Sequence, residues 1–169
     1  MKVIINGRFL IHRVTGVERY AREILSELDK IIEPDSIEMA VPPEVGDIPT
    51  YKNIKVVKIG KLHNRLWEHF SFPWYVHKNK GVSLNLCNVA PLPAPGIVCI
   101  HDVKVKATPQ YFSKKFLLWY DLLLGNATKR ARKIITVSEF SKSEIVKYFK
   151  VNPDKITVIP NAWQHYEKI

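Results

Sequence analysis

The chain has 169 residues, of which 46% are hydrophobic and 25% charged, a composition typical of one globular domain rather than of a disordered or fibrous protein. It carries 26 Lys and Arg against 16 Asp and Glu, a formal net charge of +10. Such an excess attracts nucleic acid, an anionic membrane surface or phosphorylated ligands, and a solvated basic surface without a dedicated partner is the remaining alternative.

Targeting signals and metal motifs are not evident. The apolar run Val3-Ile4-Ile5 follows Met1 without a basic segment or a cleavage site, so no secretory signal is predicted. No apolar run approaches the ~20 residues of a membrane-spanning helix. Cys87 and Cys99 fit no metal-binding spacing and are predicted to be small hydrophobic residues on strands, without a disulfide. We therefore expect a cytoplasmic protein without a metal site.

Apolar segments with the period of strands alternate with amphipathic helical segments. This order predicts an α/β fold, a Rossmann-like, doubly wound and mostly parallel sheet with helices on both faces. Predicted strands are 2–6, 37–41, 54–59, 82–87, 97–101, 133–137 and 156–159. Predicted helices run from 16 to the residues before Pro34, from 113 to about 131, and between the last two strands to 149.

The first turn after strand 2–6 reads Thr15-Gly16-Val17-Glu18, which is a capping box with Thr15 as the N-cap. Free N–H groups at a helix start, one of them on a glycine, also form a natural site for phosphate. Capping and phosphate binding are both open explanations of this pattern. No Gly-x-Gly and no phosphate-binding loop occur, so dinucleotide and P-loop chemistry are excluded.

Polar residues follow two later strands. His101 and Asp102 come directly after strand 97–101, and Ser138 and Glu139 follow strand 133–137. Ligands of open α/β sheets bind outside the carboxyl ends of strands, where these residues are predicted to lie. The structural alternatives are a pair that only hydrogen-bonds its loop and a helix cap, since Ser141 with Glu144 has a second capping-box pattern.

Two segments, 65–80 and 113–133, mix aromatic rings with cations. That mixture occurs at membrane interfaces. The alternative is that both segments are core helices that pack against the sheet, and the helical spacing of the rings favours this for the inward faces. Pro73 is expected to kink the first segment. The residues predicted to form a membrane or acceptor rim are Trp67, Trp74, Lys104, Lys106, Lys114 and Lys115.

Several stretches resemble the N-terminal domain of retaining glycosyltransferases of family 4, which have the GT-B fold, and in particular its mannosyltransferase-like branch. They are NGRFLIHRVTGVERYAREIL (6–25), LWEHFSFP (66–73) and IITVSEFSKSEIVKYFKVNPDKITVIPN (134–161). The resemblance implies one half of a GT-B fold at 1–160, with 161–169 starting the linker to a C-terminal donor-binding domain. Pro160-Asn161 is similar to the family's linker motif, with Ala162 in place of a glycine. The Glu-x7-Glu pair of the family's donor half has no counterpart at that spacing here.

The resemblance also implies roles for the candidate residues. Gly16 and the Val17 N–H, next to Thr15, would face the donor phosphates. His101 would lie in the cleft as the catalytic residue, with Asp102 orienting it or touching acceptor hydroxyls. Ser138 and Glu139 would line the same cleft.

The implied function is transfer of a mannose-like hexose from a sugar nucleotide such as GDP-mannose to a polysaccharide or lipid-linked glycan. No cofactor is implied. Docking of the rim to an anionic membrane would place the protein on the inner face of the cell membrane. We expect this chain to be inactive without the donor-binding domain, supplied in cis or in trans. Alternatives are a non-catalytic subunit of a two-component glycosyltransferase and a basic nucleic-acid-binding module, which the helical spacing of the aromatics disfavours.

Overall fold

The computed structural model describes residues 2–161, which form one seven-stranded sheet in the order β3-β2-β1-β4-β5-β6-β7. All neighbouring strands are parallel. The strands are β1 (Val3–Asn6), β2 (Ile37–Val41), β3 (Lys55–Lys58), β4 (Val82–Asn85), β5 (Ile97–Cys99), β6 (Lys133–Thr136) and β7 (Ile156–Val158). The helices are α1 (Gly16–Ile31), α2 (Asn64–Leu66), α3 (Phe72–Lys78), α4 (Lys104–Ala107), α5 (Lys114–Arg130) and α6 (Glu139–Phe149). Each observed strand lies within a predicted one.

Helices cover both faces of the sheet, because residues that alternate along a strand point to opposite sides. Ile5 of β1 and Met39 of β2 are fully buried against Leu25 of α1. Their neighbours Ile4 and Ala40 are buried against the opposite layer, which includes α3. From β1 the strand order runs to β2 and β3 on one side and from β4 to β7 on the other, so the sheet is doubly wound with its switch point between β1 and β4. The predicted Rossmann-like fold is therefore confirmed.

The second half of the sheet has its own core. Val98 of β5 and Ile134 of β6 are fully buried with Leu124 of α5 and Ile145 of α6. Burying such side chains contributes about 1.5–3 kcal/mol each, so these two helices are fixed on the sheet mainly by apolar packing. This packing positions the loops that follow β5 and β6.

The two predicted helix caps have different outcomes. At α1 the capping box is present, and the Glu18 carboxylate accepts a hydrogen bond of 3.1 Å from the Thr15 N–H. At α6 the predicted cap is wrong, because the helix begins at Glu139 and its N-cap is Ser138, whose Oγ accepts from the Ser141 N–H at 3.0 Å. The Ser141 of the predicted cap therefore lies inside the first turn of the helix.

The segment between β3 and β4 contains an irregular turn. Residues Trp67–Ser71 form a π-helical turn between α2 and α3, directly before Pro73 in the first turn of α3. Proline has no N–H and its ring crowds the preceding turn, which accounts for the widened backbone there. Trp67 is fully buried and its Nε1–H donates to the Ile59 carbonyl at 2.8 Å. Its assignment to the rim is therefore wrong, since it is a core residue.

Among the described residues, no helix has both the length and the apolar character needed to cross a membrane. Ala162 and the rest of the predicted linker after Asn161 lie outside the described residues.

Candidate functional site

The predicted site residues gather along the carboxyl edge of the sheet. Parallel strands all end at this edge, and Asn6, Asn85, Cys99 and Thr136 close β1, β4, β5 and β6. The loops that follow three of these strands carry the candidates that the sequence indicated. The three groups Thr15 to Val17, His101 with Asp102, and Ser138 with Glu139 thus share one edge, as Rossmann-like topology requires.

His101 is held rigidly at this edge. Its Nε2 lies 2.9 Å from the Leu86 carbonyl oxygen, which can only accept, so Nε2 carries the proton. The Tyr20 ring of α1 packs edge-to-face on the imidazole at 4.8 Å between centroids. The backbone N–H of His101 donates to Asn88 Oδ1 at 2.6 Å, and the residue is only 9% exposed.

Burial lowers the pKa of His101 below its usual 6.5, although the bond to Leu86 and the charge of Asp102 act in the opposite direction. The imidazole is therefore neutral near neutral pH. Beside it, burial raises the pKa of the Cys99 thiol to about 12, so that side chain is an uncharged hydrophobic group. A neutral, fixed His101 suits hydrogen bonding and positioning better than proton transfer.

The other candidates after β5 and β6 have local structural roles. Asp102 Oδ1 accepts a hydrogen bond of 3.0 Å from the Lys104 N–H and so closes the turn into α4. Ser138 is half-buried as the cap of α6, and Glu139 is exposed in the first turn of that helix. The imidazole of His101 is oriented by Leu86 and Tyr20, and Asp102 acts on it through its charge.

The start of α1 is open to approach from outside. Apart from the adjacent residues and the backbone of α1 itself, no atom of residues 2–161 lies within 4 Å of the position that a Cβ on Gly16 would take. The Val17 carbonyl lies 3.8 Å from the thiol of Cys87, which joins α1 to the loop after β4. The first N–H groups of a helix have no partner within the helix, so Gly16 and Val17 keep the geometry of an anion site.

A cavity of about 300 Å³ lies at the switch point between β1 and β4. Sequence reasoning did not select it, although Asn6 and Asn85, polar residues ending two buried strands, were a usable signal. Its polar lining comes from these two strands, the segment after β1, the helices α1 and α2, and the π turn, namely Asn6, Arg8, His12, Glu18, Arg65, Glu68, His69 and Asn85.

Glu68 is the centre of a buried polar network in this cavity. Although only 3% exposed, its Oε1 accepts from Asn6 Nδ2 at 2.9 Å and its Oε2 from Arg8 Nη1 at 3.2 Å. Asn6 Nδ2 also donates to Asn85 Oδ1 at 3.1 Å. The π turn places Glu68 under the sheet edge while its neighbour Trp67 enters the core.

Trp119 and Tyr120 of α5 supply an aromatic wall of the cavity. The His69 ring lies edge-to-face with Trp119 at 5.8 Å, and the Arg65 guanidinium lies 5.3 Å from the same ring. The Leu92 N–H donates to His69 Nδ1 at 3.3 Å, so the proton of that imidazole is on Nε2. Burial lowers the pKa of His69, which is therefore neutral as well.

The remaining predicted rim residues lie on the surface. Trp74 is 63% exposed and lines a groove of about 950 Å³ with Phe70, which is 61% exposed. Lys104, Lys114 and Lys115 are exposed at α4 and at the start of α5. Lys106 pairs with Asp121 at 2.6 Å, so its charge is locally neutralised. Within residues 2–161 no cluster of three or more His, Cys, Asp or Glu side chains could hold a metal ion.

Comparison with known proteins gives a consistent family. The family model described as Glycosyltransferase Family 4 matches residues 14–163. The chain is 26% identical to the O-antigen chain mannosyltransferase RfbU of Salmonella typhimurium over 95% of its own length and 48% of that protein's. It is 32% identical over 60 residues to O-antigen chain mannosyltransferase B of Escherichia coli, covering 36% of this chain and 16% of the relative.

A solved structure has the same fold. The Anabaena protein Alr3699/HepE, crystallised in complex with UDP and glucose, superposes with a TM-score of 0.57 at 15% identity, covering 96% of this chain and 45% of that one. The chain thus spans about half the length of RfbU and of this structural relative.

Proposed function

The chain belongs to glycosyltransferase family 4, and on that premise we propose that it is the acceptor-binding half of a retaining glycosyltransferase. The donor is a sugar nucleotide carrying a mannose-like hexose, for which GDP-mannose is the first choice. The acceptor is a polysaccharide or a lipid-linked glycan. The mannosyltransferase names of two relatives support the choice of sugar.

The observation that carries this proposal is the polar cavity at the switch point. Open α/β domains bind their ligands at this place, and here the cavity combines the Glu68 network with the Trp119 and Tyr120 rings. Pockets with aromatic walls and a few fixed polar groups are typical of small-molecule sites. A glycan terminus, with hydroxyls around an apolar ring, matches this lining.

The start of α1 belongs to the donor side of the same site. The Gly16 and Val17 N–H groups lie at the positive end of the α1 dipole and stabilise the diphosphate of the donor. Ser138 and Glu139 line the cleft further along the edge. Thr15 caps α1 together with Glu18 and so fixes the helix start that carries these two N–H groups.

The reaction that we propose is attack of an acceptor hydroxyl on the anomeric carbon from the side on which the nucleotide leaves. In such a reaction the protein mainly positions the reactants and stabilises the departing diphosphate. His101, neutral and fixed by Leu86, positions the reacting groups through hydrogen bonds, and Asp102 supports it.

A further part of the proposal is peripheral attachment to an anionic membrane. Trp74 and Phe70 offer an exposed aromatic surface, and Lys104, Lys114 and Lys115 offer exposed cations. Aromatic rings with basic side chains are the mixture that binds at membrane interfaces. The domain would then bind its lipid-linked acceptors at the membrane surface in which they are anchored.

The donor-binding half is supplied either in cis, by residues that follow in the same polypeptide, or in trans, by a separate chain. The second arrangement makes this chain the non-catalytic subunit of a two-component enzyme. Both arrangements are motivated by the comparison with RfbU, of which this chain covers 48%. The nucleotide sequence downstream of codon 169 distinguishes them.

The experiment that tests the acceptor role is saturation-transfer NMR on the 169-residue chain. Probes are oligosaccharides ending in mannose, glucose or galactose, with a single-stranded RNA as competitor for the basic surface. We expect saturation of at least one glycan, undiminished by the RNA. Absence of saturation in every glycan, or loss of the signal when RNA is added, would overturn the proposal.

A further inference from the structure

We propose that the cavity between β1 and β4 is a subsite for one neutral sugar ring, read by the side chains of Arg8, Glu68 and His69. This inference rests on the proposed function and deepens it, because it names the part of the edge that holds the acceptor and the groups that recognise it. The volume of about 300 Å³ is at the lower end for small-molecule sites, roughly 300–1,000 Å³, and leaves room for a single ring.

Two hydrogen-bond donors at this cavity lack a protein partner. Among the described residues, Arg8 Nε and His69 Nε2 are buried without an acceptor, and both side chains line the cavity. A buried donor left unpaired is costly, so such groups normally have an explanation in function. Because the Leu92 N–H occupies His69 Nδ1, the free nitrogen of that ring is a donor.

Glu68 supplies the complementary acceptors. Each of its oxygens accepts one hydrogen bond from the protein, from Asn6 and from Arg8, whereas an ionised carboxylate has about four acceptor sites. Asn6 and Arg8 also fix the carboxylate in one orientation. Two N–H donors beside a fixed carboxylate match sugar hydroxyls, each of which both accepts and donates.

Charge balance favours a neutral ligand over an anion. Two arginines and two glutamates line the cavity, Arg8 and Arg65 against Glu18 and Glu68, and Arg8 is paired with Glu68. Since burial keeps His69 neutral, it adds no positive charge. The remaining wall is mainly apolar and includes the Trp119 and Tyr120 rings, so the C–H face of a sugar ring can pack on it while the hydroxyls reach the polar side.

The test uses His69 variants that separate its two nitrogens. His69→Asn keeps an acceptor for the Leu92 N–H but places no donor at the position of Nε2. His69→Gln, which is longer, places an amide donor near that position. Affinities of the 169-residue chain for methyl glycosides of mannose, glucose and galactose are measured by NMR titration. Loss of one hydrogen bond predicts about a fivefold to tenfold weaker affinity for His69→Asn, with recovery in His69→Gln.

Arg8→Lys gives an independent variant, because it keeps a charge for Glu68 but removes Nε, and it is expected to weaken sugar binding similarly. His77→Asn, on the exposed side of α3, is the matched control and should bind like the wild type. Wild-type affinity in His69→Asn and Arg8→Lys would overturn this subsite while leaving the acceptor role intact. Binding of inorganic phosphate in place of every glycoside would overturn the neutral-sugar assignment. Absence of any glycoside binding by the wild type would overturn both proposals.

Discussion

Ser141 Oγ donates a hydrogen bond of 2.9 Å to the backbone carbonyl of His101, so the first turn of α6 holds the loop that follows β5. Ser141 is itself oriented by Ser138, the cap of the helix. The contact joins two of the loops that the sequence indicated and fixes the position of His101. Its partners are 40 residues apart, so only the folded sheet brings them together.

Replacing Ser141 with Ala should lower the free energy of unfolding by about 1–3 kcal/mol, because the buried carbonyl of His101 loses its partner. Urea denaturation monitored by tryptophan fluorescence measures the change. Ser143→Ala is the matched control, since the Ser143 hydroxyl bonds an exposed carbonyl of its own helix and its loss should have little effect. Equal effects of the two substitutions would show that the His101 contact contributes no stability.

The two tryptophans Trp67 and Trp74 should differ strongly although they lie in one short segment. Trp67→Ala removes a fully buried ring and its bond to Ile59, and should cost about 3–5 kcal/mol of unfolding free energy. Trp74→Ala, at an exposed site, should change it by no more than about 0.5 kcal/mol. Thermal and urea unfolding of both variants check this contrast, and a large loss for Trp74 would contradict the exposed groove.

Stability should fall as the solution is acidified through the histidine range. Because burial lowers the pKa of His101 below 6.5, the unfolded chain binds this proton first, and the native state loses stability as the pH falls below about 6.5. One imidazole contributes a slope of at most about 1.4 kcal/mol per pH unit, which ends once the pH is below the native pKa. Unfolding of wild type and of His101→Gln at about pH 7.5 and about pH 5.5 measures it. The variant should show a smaller difference than the wild type, and an unchanged slope would exclude His101 as its source.

Residues 1–169 alone should not transfer a hexose from any sugar nucleotide. The reason is that the chain covers 48% of RfbU and lacks a Glu-x7-Glu pair, which the family resemblance places in the donor half. Transfer of radiolabelled mannose from GDP-mannose to glycan acceptors measures the activity, and heat-inactivated protein gives the background. Turnover by the purified chain would refute the expectation that a second half is needed.

Membrane attachment predicts sedimentation with anionic vesicles at low salt and release at high salt. Each cation near such a surface contributes about 1 kcal/mol, and the attraction fades beyond a Debye length of about 8 Å at physiological salt.

Replacing Lys104, Lys114 and Lys115 with Glu should abolish binding to the vesicles. Lys106 is left in place because it pairs with Asp121. The same change at the exposed residues Lys52, Lys55 and Lys58 is the control and should retain more binding. Equal binding to neutral vesicles would show that apolar insertion dominates.

Local sequence patterns determined the seven strands and the three long helices α1, α5 and α6 of this fold. Strands and helices were predicted from apolar periodicity, and the start of α1 from its capping box, because these depend on neighbouring residues. The carboxyl-edge position of Gly16, His101 and Ser138 also followed, since parallel strands must end together. The family was visible in the same stretches.

Tertiary structure alone decided which polar and aromatic side chains face inward. Trp67 and Trp74 lie in the same short aromatic segment of the sequence. In the structure, with the π turn before Pro73, Trp67 is buried in the core and Trp74 is exposed. Glu68 gained its place in the cavity by the same turn, and its partners Asn6 and Asn85 lie on strands that meet only at the switch point. Contacts between residues far apart in the chain leave no periodic signal, so the cavity and its Glu68 network could be identified only in the folded structure.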